Sequence, residues 1–157
     1  MLKLVRITMK QKDKNILLAE DSSDDVELMK RKFRSRDIEG KLIIAKDGEE
    51  ALNYLYRKEK YSNRKKFPDP DLILLDIRMP KVNGIEVLKA IKSDRILKKI
   101  PVVMLTISTL EKDIIDSFSN GCEHYVAKSV GFEKFENTLE PIIKYYLEKN
   151  EFTPVSR

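Results

Sequence analysis

The sequence predicts an α/β domain built on a doubly wound, five-stranded parallel sheet. Two observations carry that expectation. Short apolar runs alternate five times with stretches of helical periodicity, and four of the runs end on polar residues. Ile16-Leu17-Leu18-Ala19 leads into Glu20-Asp21, Leu72-Ile73-Leu74-Leu75 into Asp76, Val102-Val103-Met104-Leu105 into Thr106, and Tyr125-Val126-Ala127 into Lys128. Such runs, bounded by turn signals, read as strands buried on both faces of a parallel sheet. Regular βα alternation then puts helices on both sides. The carboxyl ends of these strands share one edge, where ligands bind, so residues distant in sequence are expected to meet there. Three carboxylates, a hydroxyl and an ammonium group can hold a divalent metal and a phosphoryl group.

The elements follow in order. The first strand, near Ile16 to Ala19, precedes a helix beginning about Ser23 with Val26, Met29 and Phe33 on one face, and Gly40 closes that unit. The second strand, Lys41 to Ala45, leads into a helix opened by Asp47 with Glu50 three residues on, a capping-box pattern, and Ala51, Leu52 and Leu55 form its apolar face. The third strand ends at Asp76, and the next helix covers Gly84 to Ser93 through Val87, Leu88 and Ile91. After the fourth strand, Ser108 and Glu111 form a second expected capping box, and Asn120-Gly121 stops that helix. The fifth strand is His124 to Ala127. A final helix places Phe132, Phe135, Leu139, Ile142, Ile143 and Tyr146 at helical spacing.

A chain of 157 residues suits one domain, here 15–149, between a basic N-terminal tail (1–14) and a short C-terminal tail (150–157). With 41% hydrophobic and 36% charged residues the composition is that of a folded, highly charged domain rather than a disordered one. No apolar stretch approaches the roughly 20 residues needed to span a bilayer, so no membrane association is expected. The tail lacks the long apolar region of a secretory signal, and Met9 is an alternative start. The lone Cys122 excludes an internal disulfide and fits a reducing, cytoplasmic setting. The net charge of +5 is local: residues 1–14 carry +4 and residues 56–66 carry +5, leaving −4 elsewhere. With no reading head in the sequence, the basic segments read as solvated surface or a dock for an acidic protein rather than a nucleic-acid site. Cys122 and His124 read as packing or surface residues.

From about Asn15 to Lys149 the chain resembles the receiver domain of two-component response regulators. The motifs are Ile-Leu-Leu-Ala-Glu20-Asp21, Leu-Ile-Leu-Leu-Asp76-Ile-Arg-Met-Pro80 followed by Gly84, Val-Val-Met-Leu-Thr106, and Tyr125-Val-Ala-Lys128. The resemblance implies a flavodoxin-like (βα)5 fold with strand order 2-1-3-4-5. It implies Asp76 as the phosphoacceptor, a carboxylate nucleophile that takes a phosphoryl group from a sensor histidine kinase or phosphotransfer protein and forms an acyl phosphate. Mg²⁺ would be held by Asp21, Asp76 and the main-chain carbonyl of Arg78, with Glu20 acting through metal-bound water. Lys128 would neutralise one phosphoryl oxygen and Thr106 would hydrogen-bond another. Tyr125 would report the movement of Thr106 to the surface of the fourth helix, fifth strand and fifth helix, where a downstream protein or a second copy would dock. The chain would promote its own phosphorylation and dephosphorylation without being an enzyme on other substrates.

Two positions depart from the family pattern. Ser129 follows Lys128 where receivers usually carry proline after a typically cis bond, so either a costly cis bond forms there or the loop takes another path. Ile107 follows Thr106 where many receivers have a smaller residue, and with Arg78 it should restrict access to the acyl phosphate. Within the family, the long basic connection before the third strand and the Lys128-Ser129 pair are similar to small regulators paired with phytochrome-type kinases. The alternative is a Mg²⁺-dependent phosphatase of the haloacid-dehalogenase type. That chemistry needs a second aspartate two residues after the nucleophile, where this chain has Arg78. A degenerate, unphosphorylated receiver is disfavoured because every charged site residue is present.

Overall fold

The computed structural model describes residues 13–35, 38–108, 110–128 and 132–148, with side chains from 137 onward in the last segment. The expected C-terminal tail, the expected N-terminal tail up to residue 12 and the bond between Lys128 and Ser129 lie outside these residues, as do the side chains of Phe132 and Phe135. Strands β1 (Asn15–Ala19), β2 (Lys41–Ala45), β3 (Leu72–Leu75), β4 (Val102–Thr106) and β5 (His124–Ala127) alternate with helices α1 (Ser23–Ser35), α2 (Gly48–Leu55), α3 (Gly84–Ser93), α4 (Glu111–Ser119) and α5 (Phe132–Glu148). All strand pairs are parallel and the order is β2-β1-β3-β4-β5, the expected flavodoxin-like arrangement.

The period of two along each strand sorts the core into two layers. Leu17, Ala19, Ile73, Leu75, Val102 and Met104 face α2 and α3, meeting Ala51, Leu55, Val87, Leu88 and Ile91. Ile16, Leu18, Leu72, Leu74, Val103 and Leu105 face α1 and α5, meeting Val26, Met29, Phe33, Leu139 and Ile143. Because both faces are covered, the central strands can be apolar at every position. No helix among the described residues is long and apolar enough to cross a membrane.

Local chemistry sets the helix starts. Asp47 caps α2 by accepting from the Glu50 amide at 2.8 Å, and Glu50 reaches back to the Lys46 amide at 2.8 Å. Asn83 caps α3 through the Glu86 amide at 3.0 Å. At the start of α3 a side chain is excluded: a Cβ on Gly84 would lie 2.0 Å from the Asp76 carbonyl oxygen. That close approach fixes the path of the chain leaving Asp76.

The expected Ser108–Glu111 capping box does not form. Leu110 is the N-cap residue of α4, with no side-chain cap, and Glu111 is the first helical residue. The helix starts two residues later than expected, so Ser108 is not in the cap position; its hydroxyl donates to the Asp113 carboxylate while its oxygen accepts from the Leu110 amide at 3.4 Å. The basic connection before β3 is held by its own contacts. It contains a 3-10 turn, Glu59–Ser62, and Tyr61 packs against Tyr54 and Phe67 with ring centroids 5.1 and 5.0 Å away. Arg57 and Glu59 take left-handed conformations, and Arg57 ties the connection to the Phe67 carbonyl at 2.7 Å and to Asp69. Helix α5 passes through Pro141 at an exposed position.

Candidate functional site

Parallel registry brings the strand-end residues together. Ala19 pairs with Leu75, so Glu20 and Asp76, next along each chain, emerge side by side, while Thr106 pairs with Ala127 just before Lys128. Carboxylate oxygens of Glu20, Asp21 and Asp76 lie within 4.8 Å of one another. Glu20 and Asp76 are buried and Asp21 is exposed, so the cluster opens to solvent on the Asp21 side. The Arg78 amide points back toward Asp76 Oδ1 at 3.4 Å.

Lys128 is the cation of this edge. Its Nζ donates to Glu20 Oε2 and to Asp25 Oδ2 at 3.1 Å, and lies 3.6 Å from Asp76 Oδ2. Burial works to lower the pKa of Lys128, but the Glu20 hydrogen bond and the charges of Asp76 and Glu20 outweigh it and raise it, so the ammonium form is held. Burial, helped by Asp76, pushes Glu20 up to about 7 against the opposing pull of Lys128. Lys128 therefore outweighs the neighbouring Asp76 charge but not the cost of burying the Glu20 carboxylate. Three hard oxygen donors on one side of an opening suit a small divalent cation, which would add the positive charge that the buried carboxylates lack.

A second cluster joins the site on the β4 side. Thr106 is fully buried, and its Oγ1 accepts from the Ser108 amide at 3.2 Å. The Tyr125 hydroxyl donates to the Ser108 carbonyl at 2.7 Å. Asp113 Oδ2 accepts from the Ser108 hydroxyl and from Arg78 Nη2 at 2.9 Å. Ile107, beside Thr106, is 67% exposed. All eight expected site residues therefore lie at one edge or next to it. Asp25 and Asp113 escaped the sequence reading, because acidic residues in the first turn of a helix are ordinary partners of its dipole and carry no further signal. His124 lies 3.1 Å from the Tyr146 hydroxyl, and Cys122 is buried, a packing residue of the core.

The response regulator receiver domain family matches residues 16–140. The chain belongs to that family. The response regulator Rcp1 of Synechocystis sp. is 39% identical over 135 residues, covering 86% of this chain and 90% of that protein. The crystal structure of the phosphorylated cyanobacterial phytochrome response regulator RcpA superposes with a TM-score of 0.80 at 35% identity, covering 92% of this chain and 99% of that one. The Mn²⁺-bound form of Rcp1 gives a TM-score of 0.79 at 37% identity, over 90% and 99% of the two chains. This receiver is a phosphoacceptor signalling module, of a family that binds divalent metal and works with histidine kinases and downstream targets. Nothing favours the phosphatase alternative: two residues after Asp76 stands Arg78, whose guanidinium is engaged by Asp113.

Proposed function

We propose that this receiver accepts a phosphoryl group on Asp76 from a sensor histidine kinase or phosphotransfer protein in the cytoplasm, and that the resulting acyl phosphate switches its protein contacts. The observation that carries the reading is the cluster itself: Asp76, two further carboxylates within 4.8 Å of it, and Lys128 Nζ 3.6 Å from its Oδ2. In the transfer, an Asp76 carboxylate oxygen attacks phosphorus, the phosphorus–nitrogen bond of the donor phosphohistidine breaks, and the bonding pair leaves with the imidazole. Glu20, Asp21, Asp76 and the Arg78 carbonyl are the groups that would hold Mg²⁺, which would supply charge neutralisation on the phosphoryl oxygens. Lys128 holds its proton throughout and can shift from the carboxylates toward a phosphoryl oxygen. Thr106 offers a hydroxyl to another. The protein's contribution is placement and charge compensation, as phosphoryl transfer requires.

The signal would pass from Thr106 through Tyr125 to the face made by α4, β5 and α5, for a target protein or a second copy. The similarity to Rcp1 and RcpA, the latter named as a phytochrome response regulator, makes a phytochrome-type kinase the favoured donor. Intact-mass measurement after acetyl phosphate and Mg²⁺ treatment tests the assignment. One phosphoryl adduct is expected on the parent chain and none on Asp76→Asn; equal labelling of both would sink it.

A further inference from the structure

We propose that Asp113, a residue of α4 that touches none of the reacting atoms, is a positioning residue that acts through Ser108 to present the Thr106 hydroxyl to the phosphoryl group. The inference rests on Asp76 as phosphoacceptor and Thr106 as a donor to the phosphoryl oxygens.

The chain of contacts is short. Ser108 is held at four points: its amide by Thr106 Oγ1 at 3.2 Å, its carbonyl by the Tyr125 hydroxyl at 2.7 Å, its hydroxyl by Asp113, and that same hydroxyl oxygen by the Leu110 amide at 3.4 Å. Both Ser108 and Asp113 are buried. A hydroxyl has one proton and two lone pairs. Because Thr106 Oγ1 accepts from the Ser108 amide, one lone pair is committed and its proton is left to give. Accepting a hydrogen bond also polarises the O–H group and makes it a better donor. The amide does this only while residue 108 keeps its orientation, and among the described residues the Asp113 carboxylate is the one charged group that grips Ser108.

Asp113 is itself fixed by other bonds. Arg78 Nη2 donates to the same Oδ2 at 2.9 Å, and Ser117 Oγ donates to the Asp113 carbonyl at 2.7 Å. The Arg78 contact also draws that guanidinium toward α4, so one carboxylate holds residues that follow both Thr106 and Asp76. The N-cap position of α4 falls to Leu110, whose side chain has no capping group, and Ser108 two residues earlier is left free to make this link.

Acetyl phosphate labelling rates, read by intact mass beside Mg²⁺ titrations of the same proteins, test the proposal. Asp113→Ala and Ser108→Ala should each label about 3- to 10-fold more slowly, the worth of one lost orienting hydrogen bond, with Mg²⁺ affinity unchanged. Asp113→Asn keeps an oxygen that can accept from Ser108 and should recover part of the rate. In a Thr106→Ala background neither change should slow labelling further, because the hydroxyl they orient is gone. Parent-like rates in the single variants, or an undiminished loss in the Thr106→Ala background, overturn the inference, as does a matching fall in Mg²⁺ affinity. If Asp113→Ala does not fold, Ser108→Ala carries the same two outcomes. A parent chain that takes no label overturns the phosphoacceptor reading, and this inference with it; a labelled parent with indifferent variants overturns this inference alone.

Discussion

At Ile107 the chain places a branched apolar side chain, 67% exposed, directly after the buried Thr106. Water and small donors must approach phosphorus in line with its bond to Asp76, and a side chain at this opening narrows the path without offering a polar atom to orient water. Ile107→Ala should therefore speed both loss of the phosphoryl group and its gain from acetyl phosphate, with Mg²⁺ affinity nearly unchanged. Since Arg78 flanks the same opening while tied to Asp113, the double change with Arg78→Ala is the companion measurement. Phosphoryl lifetimes no shorter than the parent's in both would refute the crowding argument. Asp21 is the exposed member of the carboxylate cluster and the one with the freest access to a metal. Asp21→Ala should weaken Mg²⁺ binding at least tenfold, a loss of about 1.4 kcal/mol or more, and slow phosphorylation in parallel; unchanged titrations would put the metal elsewhere. These residues were legible because strand ends in a parallel sheet converge, so position alone implied proximity. Asp25 and Asp113 were not, because acidic residues in the first turn of a helix are ordinary partners of its dipole, and only the packed structure shows which of them reach the strand ends.

Among the elements, strands and helices could be read from apolar periodicity because each buries its own face against the sheet. The connection between α2 and β3 could not. Its order depends on Tyr61 meeting Tyr54 and Phe67 from three separate stretches, and on left-handed Arg57 and Glu59, which without glycine give no sequence signal. Tyr61 also donates its hydroxyl to Glu50, the residue that closes the start of α2, so the connection braces the helix it follows. Tyr61→Phe should cost about 1 kcal/mol, one net hydrogen bond, and Tyr61→Ala about 3 kcal/mol, the low end for losing a buried aromatic. Urea denaturation measures both, and equal losses would mean the hydroxyl, not the ring, holds the connection. Burial pushes Tyr54 up to about 12, and burial with the Glu50 bond raises Tyr61 as well. Both groups are held neutral by folding, so their contribution is complete below the ordinary tyrosine value near 10 and fades as pH rises through the folded values. Tyr61→Phe should lose part of that alkaline sensitivity.

On the scale of the whole molecule, α4 is turned against the usual rule. The residues it buries are Asp113 and Ser117, while Ile115 and Phe118 are 54% and 51% exposed, and Leu110 at its start is 58% exposed. Tyr145 on α5 is 53% exposed as well. The inward face carries Asp113 and Ser117 because it serves the Ser108 cluster, and that choice leaves Ile115 and Phe118 facing out while Ile114 is half-buried. Covering half-exposed side chains of this kind yields roughly 1 kcal/mol each by area, against association costs of at least about 4 kcal/mol. Four such residues on each copy come close to balance, which favours a dimer that is weak at rest and responsive to a small change in the outward face. Because Tyr125 and Asp113 both grip Ser108, a shift of Thr106 toward the phosphoryl group would alter that face directly. Light scattering on the sized protein should therefore detect a dimer at tens of micromolar with beryllofluoride and Mg²⁺, and little without them. Phe118→Glu should keep beryllofluoride binding and abolish the dimer. Hydrogen exchange should slow over 110–119 and the surface of α5 on activation. Changes confined to α1, or a dimer indifferent to Phe118→Glu, would assign the signalling surface to another face.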